Sequence, residues 1–450
     1  MGLQSPPSRA GSKVPGPRRD PRGPSPGCYA SRMTRLRLVS TLAATLLVVP
    51  AFASAAGKSV ARPPKGRSVY DAPDPLPPGK HGDLIWAVEL NTQVPNARAW
   101  KILYRSTDLH DTAFAVSGMV IAPIGKAPAG GRPVVTFAHG TTGLARACAP
   151  SMVADPAKDA LMYVTPGSGD LMDSGVPALS RMIAAGYVVV ATDYIGLGGP
   201  GSHPYLIGPS LARNTLDASV AAGRIPGAGA GRKTVILGWS EGGQAAVWAA
   251  QLAGYVEGSV EVLGAAALAP VNSAEQIKIE RAVVASGRKL PTMTGAETLM
   301  ALYSTAGSFP ELRLSDVLTP FGVDFVTASA RVQCSKHMGQ ALDYQQSLNG
   351  QAIRSEPQDE AAWARRTVEM ALGNPPSKVP VAVYQGDDDP TVFPAASEAY
   401  VKQACASGTV ALYTHYAKTD HLQVPLRAAD DYLAWIADRI AGKPAPSSCR

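Results

Sequence analysis

No CxxC pair occurs in the 450-residue chain, so its five cysteines indicate neither a zinc ribbon nor a thioredoxin-type redox site. The apolar stretch Leu38 to Val49 is too short to span a bilayer. No internal repeat is visible. Charged residues make up only 17% against 46% hydrophobic ones, a balance that excludes a disordered or fibrous chain and allows a large core. A basic face is also missing from the body. The formal charge of +7 comes from residues 1 to 68, which hold 12 of the 42 Lys and Arg but one acidic residue, Asp20; the remaining 30 bases and 34 acids leave −4. A basic N-terminus on a mildly acidic body reads as an address on a globular protein, with no nucleic-acid surface.

That address is "MTRLRLVSTLAATLLVVPAFASAAGKSV". Arg35 and Arg37 precede the apolar stretch, and small residues near Ala53 to Ala56 offer a cleavage site, so residues 33–56 read as a secretory signal peptide. The Pro/Arg-rich residues 1–32 then read as an overextended start; the alternative is a disordered basic arm before an uncleaved anchor. Export, to the exterior or a periplasm, would place the remaining Cys148, Cys334, Cys405 and Cys449 in an oxidising compartment, where an even number points to disulfides. Four cysteines allow three pairings.

After a Pro-rich segment at 57–84, strand-like apolar runs alternate with helical patterns, which predicts a mainly parallel sheet with helices on both faces. The strands read as "AFAVSGMVIAP", "PVVTFAH", "YVVVATDY", "KTVILGW", "VLGAAALA", "VPVAVYQ" and "TVALYTHY"; their near-continuous apolar character suits strands buried on both sides. Residues 272–378 break the rhythm with helix-like stretches such as "GAETLMALYSTAG". They predict a helical cap inserted between two halves of a core at 85–271 and 379–445, laid over the carboxyl edge of the sheet where such folds bind ligands.

The strongest chemical signal is Gly238-Trp239-Ser240-Glu241-Gly242 in "TVILGWSEGGQAAVWAA". It matches G-x-S-x-G between an apolar strand and a small-residue helix, the context in which a sharp turn presents a serine hydroxyl at a helix N-terminus. A serine needs a base, oriented in turn by an acid, and this chain order places both after the serine. Of the three histidines that follow, His337 falls inside the cap and His415 within the last strand pattern. His421, in a loop between the last strand and last helix, is the candidate base. The acid should leave the end of the preceding strand, at "QGDDDPTVF", where Asp387, Asp388 and Asp389 stand together. A metal site is disfavoured there, because histidines and the alternating oxygen ligands of a calcium loop are missing.

Together "FAHGTTGLARACAPS", "VVVATDYIGLGGPGSHPY", "LGWSEGGQAAVWAA", "YQGDDDPTV" and "DHLQVP" resemble the secretory lipase family of the fungal lipase A type, within the α/β-hydrolase superfamily. The resemblance spans most of residues 85–440 and is weak in the cap. It implies Asp389 as the acid, through a G-x-x-D-x-x-V pattern met by Gly386, Asp389 and Val392; Asp388 stays open as the alternative. It implies an oxyanion hole from the N–H groups of Glu241 and Thr141, although the family type has an acidic residue at the latter position. His139 is read as bracing that loop. Asp193 and His203 precede the serine and are read as part of a Gly-rich loop near the site mouth. The resemblance also implies disulfides Cys148–Cys334 and Cys405–Cys449. The function it implies is a secreted lipase or esterase, triacylglycerol lipase-like, with a Ser240-Asp389-His421 triad and no cofactor or metal. The partners expected are an ester or lipid substrate and transient contact with a lipid surface, without nucleic acid or an obligate protein partner. A serine peptidase of the same fold and a non-catalytic binding protein are the alternatives.

Overall fold

A computed structural model describes residues 61–160, 173–288 and 292–449. The signal peptide expected at 33–56 and the segment before it lie outside the described residues. Among the described residues the chain builds a nine-stranded sheet in the order β1-β2-β3-β5-β4-β6-β7-β8-β9. The strands are β1 Leu84–Leu90, β2 Ala97–Thr107, β3 Ala113–Pro123, β4 Arg132–Ala138, β5 Val188–Thr192, β6 Ala230–Trp239, β7 Glu261–Leu268, β8 Val381–Gly386 and β9 Ala411–Tyr416. From β5 across to β9 every pairing is parallel, whereas β1, β2 and β3 join the edge through antiparallel pairings.

The helices are α1 Leu179–Ala184, α2 Gly208–Ala222, α3 Glu241–Gln251, α4 Ser273–Ala285, α5 Thr292–Ser308, α6 Leu314–Val317, α7 Pro320–Val332, α8 Ser335–Asn349, α9 Glu360–Glu369, α10 Pro394–Ala406, α11 Val424–Arg427 and α12 Ala429–Ile440. None of the described helices is long and apolar enough to cross a membrane. Strand periodicity sorts the core onto two faces. Val235 and Leu237 of β6 join one cluster with Tyr432, Trp435 and Ile436 of α12, while Ile236 between them joins the opposite cluster with Val247 and Trp248 of α3 and Tyr400 of α10. Each fully buried Val, Leu or Ile stabilises the fold by roughly 1.5–3 kcal/mol of transfer free energy.

The mainly parallel sheet expected from the sequence is present, with two strands that the sequence reading missed. In β1 and β2 buried residues are interspersed with half-exposed ones and with charged residues such as Glu89, Arg98 and Lys101, so neither carries the unbroken apolar run that marked the inner strands. Helices α4 to α9 all fall between β7 and β8, within residues 272–378. The segment has its own cluster, in which Leu299, Met300, Leu318, Val326, Leu342 and Trp363 pack with Tyr205 and Ile207 from the sheet side.

Candidate active site

The β6-to-α3 turn places Ser240 at φ 60°, ψ −119°, a sparsely populated conformation for a residue with a side chain. The flanking glycines explain how the chain accepts it. A Cβ on Gly238 would lie 1.9 Å from the Gly242 carbonyl oxygen, and one on Gly242 would lie 1.9 Å from that of Ala138. The two glycines are therefore steric requirements of the turn. The Ser240 N–H donates to the Leu268 carbonyl at 2.9 Å, tying the turn to β7.

The parallel sheet then gathers the partners. Nε2 of His421 lies 2.9 Å from Oγ of Ser240, and its Nδ1 lies 2.8 Å from Oδ2 of Asp389. All three residues are buried. They reach one point because β6, β7, β8 and β9 are adjacent, and the turns beyond their carboxyl ends pack together: Gly386 pairs with Tyr416, and the N–H of Asp388 donates to the Thr419 carbonyl at 3.1 Å. A Cβ on Gly386 would come within 2.2 Å of that same carbonyl oxygen. The indole of Trp239 packs 5.2 Å from the His421 ring, and its N–H donates to the His421 carbonyl at 3.2 Å.

The three aspartates part company. Asp389 is buried, and its Oδ1 accepts from the N–H groups of Thr391 and Val392 at 2.9 and 2.8 Å while its Oδ2 accepts from Gln385 at 3.1 Å. Gln385 is held by the hydroxyl of Ser397 at 2.7 Å. Asp388 is exposed, and Asp387 pairs with exposed His415 at 2.9 Å. His337 is exposed on α8, and Asp420 accepts from the N–H of Gln423 at 2.9 Å.

On His421, burial opposes the charged ring, but the charge and hydrogen bond of Asp389, with the charges of Glu297 and Asp173, outweigh it and raise the pKa above 6.5. Glu297, half-buried on α5, is pushed up to about 7 by burial against the pull of His421. It lines, with Ser240, a cavity of about 120 Å³ between the sheet and helices α4, α5 and α9. Apolar walls come from Leu206, Val271, Leu302, Trp363 and Met370. Glu280, also in the lining, is raised by burial and hydrogen-bonds to Gln276. Sequence pattern did not single out Glu297 or Glu280.

The β4–β6 register pairs Ala138 with Gly238, which brings the start of the loop after β4 against the serine turn: a Cβ on Gly140 would lie 2.7 Å from the Trp239 ring. Glu241 opens α3, where the first backbone N–H groups lack helical acceptors. The expected brace is visible: Nδ1 of His139 donates to the Gly140 carbonyl at 2.6 Å, and its ring packs 4.5 Å from Tyr194. Burial lowers the His139 pKa. Asp193 and His203 do not meet. Asp193 accepts from Ser117 and Ser151, and His203 turns to Glu241. Disulfides join Cys148 to Cys334 and Cys405 to Cys449. The first closes the loop after β4 onto the start of α8, where the Ser335 N–H also donates to the Thr142 carbonyl at 2.9 Å.

A mainly parallel, nine-stranded sheet with a serine on a strained strand-to-helix turn defines the α/β-hydrolase fold. Solved structures agree: Candida antarctica lipase A in its closed state superposes with a TM-score of 0.61 at 17% identity, over 87% of this chain and 89% of that one. The rice cell wall degrading esterase LipA of Xanthomonas oryzae gives 0.60 at 17% identity, over 81% of this chain and 99% of that one. Within the fold, the secretory lipase model matches residues 171–286, and the chain is similar to that family. Two relatives by sequence carry lipase names. Lipase 5 of Candida albicans (strain SC5314 / ATCC MYA-2876) is 24% identical over 78% of this chain and 74% of its own length. A protein of Mycobacterium tuberculosis (strain CDC 1551 / Oshkosh) named "Probable inactive lipase" is 25% identical over 77% of this chain and 74% of its own.

Proposed function

We propose that the protein is a secreted carboxylic ester hydrolase that works through Ser240, His421 and Asp389. The observation that carries this reading is the unbroken hydrogen-bonded line from Ser240 Oγ through His421 to Asp389 at the wall of an apolar cavity. Ser240 attacks the ester carbonyl as His421 Nε2 takes its proton, and Asp389 holds the ring through Nδ1. The N–H groups of Glu241 and Thr141 receive the developing oxyanion, each contributing roughly 3 kcal/mol to transition-state stabilisation. His421 returns the proton to the leaving alkoxide; water activated by the same ring then cleaves the acyl-enzyme.

Helices α4, α5 and α9 of the inserted segment wall the acyl site. The cavity is open on one side, and its apolar walls suit a hydrophobic acyl chain. The lipase names among the relatives support a lipid ester. The name of the mycobacterial relative favours a second reading, a hydrolase fold without turnover. The intact line of three residues speaks against it here.

Hydrolysis of p-nitrophenyl esters from C2 to C16 by the mature protein, with Ser240→Ala as control, tests both. Turnover of esters in this series that is lost in the variant is expected. No turnover on any ester, or equal turnover in the variant, would overturn the enzymatic reading.

A further inference from the structure

Between β5 and α2, the tripeptide His203-Pro204-Tyr205 touches three separate parts of the site. Nε2 of His203 meets Oε1 of Glu241 at 2.9 Å, with both side chains at 1% exposure or less. Nδ1 of the same ring faces the Ile195 carbonyl at 3.3 Å, so both ring nitrogens are engaged. Two residues on, the hydroxyl of Tyr205 lies 2.9 Å from that of Thr141. The His203 carbonyl accepts from the hydroxyl of Ser304 on α5 at 2.8 Å, the helix that also places Glu297, Ala301 and Leu302 along the cavity.

The ring column beneath is continuous. Tyr194 packs 5.6 Å from His203 and 4.5 Å from His139, and its hydroxyl donates to the His139 carbonyl at 3.1 Å. Glu241 has an uncommon placement for a carboxylate: it is fully buried, and its Oε2 has no hydrogen-bond partner among the described residues. A buried carboxylate must be paired to be retained, so His203 fixes the side chain of the residue whose N–H follows the serine.

We infer that His203 and Tyr205 are positioning residues that hold the two halves of the oxyanion hole, Glu241 and Thr141, at one spacing and link that spacing to α5. The inference rests on the proposed ester hydrolysis. His203 does not line the cavity, and Tyr205, which does, turns its hydroxyl away to Thr141. Their effect falls on where two N–H groups point, and an oxyanion is bound well only when its donors are already aligned.

Tyr205→Phe keeps the ring in its buried slot and removes only the hydroxyl. Thr141→Val removes the other hydroxyl of the pair. For each, kcat on a p-nitrophenyl ester should fall about tenfold, less than the roughly hundred- to thousandfold typical of losing a donor outright. KM should stay within about twofold, and an alkyl boronic acid, which mimics the tetrahedral intermediate, should bind more weakly by the same factor as kcat/KM falls. The double variant should be no slower than the slower single one, because both remove one contact. His203→Gln, compared by thermal melting and kinetics, should lose kcat beyond any change in the folded fraction. A Tyr205→Phe enzyme with unchanged kcat and boronate affinity, or losses that multiply in the double variant, would overturn the inference while wild-type turnover kept the ester hydrolase reading intact. Failure of the wild type to cleave any ester would instead remove the reading on which it stands.

Discussion

Nδ1 of His421 lies 2.8 Å from Oδ2 of Asp389, and Oδ1 of the same carboxylate accepts two backbone N–H groups. The Asp389 carboxylate is thus held from both sides, one oxygen by its own turn and the other facing the imidazole. Neither neighbouring aspartate has such a place.

Replacing the three acids one at a time follows from that difference. Asp389→Asn should lower kcat about ten-thousandfold, as expected when the imidazole loses the partner that fixes its tautomer. Asp388→Asn, at an exposed position, and Asp387→Asn, whose carboxylate pairs with exposed His415, should stay within about twofold of wild type. Steady-state kinetics on folded variants decides. A collapse with Asp388→Asn and none with Asp389→Asn would move the acid by one residue.

The pH profile carries a sign. In the proposed mechanism His421 is the base and must be neutral, and its pKa is raised above 6.5, so kcat/KM should fall with acid from a midpoint above that value. The groups that raise it are Asp389, Glu297 and Asp173. Glu297→Gln removes one negative charge and should shift the acidic limb to lower pH, with Asp389 still in place. A limb that stays put or moves upward would show that Glu297 does not act on His421.

Backbone sterics at the serine turn are open to a stability test. A Cβ on Gly242 would sit 1.9 Å from the Ala138 carbonyl oxygen, a contact that only backbone movement can relieve. Gly242→Ala should destabilise the protein by at least about 1–3 kcal/mol, as overpacking does, and lower activity through the displaced turn. Gly254→Ala, where nothing lies within 4 Å of the new Cβ, should leave the melting temperature near wild type. Equal melting of the two variants would remove the steric account.

The disulfides should separate stability from activity. Cys148–Cys334 and Cys405–Cys449 span 186 and 44 residues, and loss of either, by paired replacement with Ser, should cost about 2–5 kcal/mol in urea unfolding. Only the first is joined to the loop after β4 that bears Thr141, so only its loss should lower kcat in the folded protein. Unchanged kcat without Cys148–Cys334 would mean that the loop holds its place through the Ser335-to-Thr142 hydrogen bond and packing alone.

Much of this was legible because physical necessity is local at some positions. The inner parallel strands show themselves as apolar runs, since both faces are covered, and the Gly238 to Gly242 turn shows its glycines because no other residue fits. His421 could be chosen by its place after the last strand. Asp389 could be separated from Asp388 only through family resemblance, for three adjacent carboxylates look alike until burial and the N–H groups of Thr391 and Val392 distinguish them. The outer strands β1 and β2 hid behind their mixed exposure, and the Cys148–Cys334 pairing stayed one of three possibilities until a resemblance or a structure selected it.

By itself, then, the sequence determined the layered α/β plan and the serine turn, because the hydrophobic period and the steric demand of glycine act within a few residues. The tertiary structure alone decided that Glu241 reaches His203 across 38 positions, that Tyr205 meets Thr141 across 64, and that Glu297 of an inserted helix lines the same cavity as Ser240. Those contacts depend on how strand order and the inserted helices fold distant segments onto one edge of the sheet, and no local pattern encodes that juxtaposition.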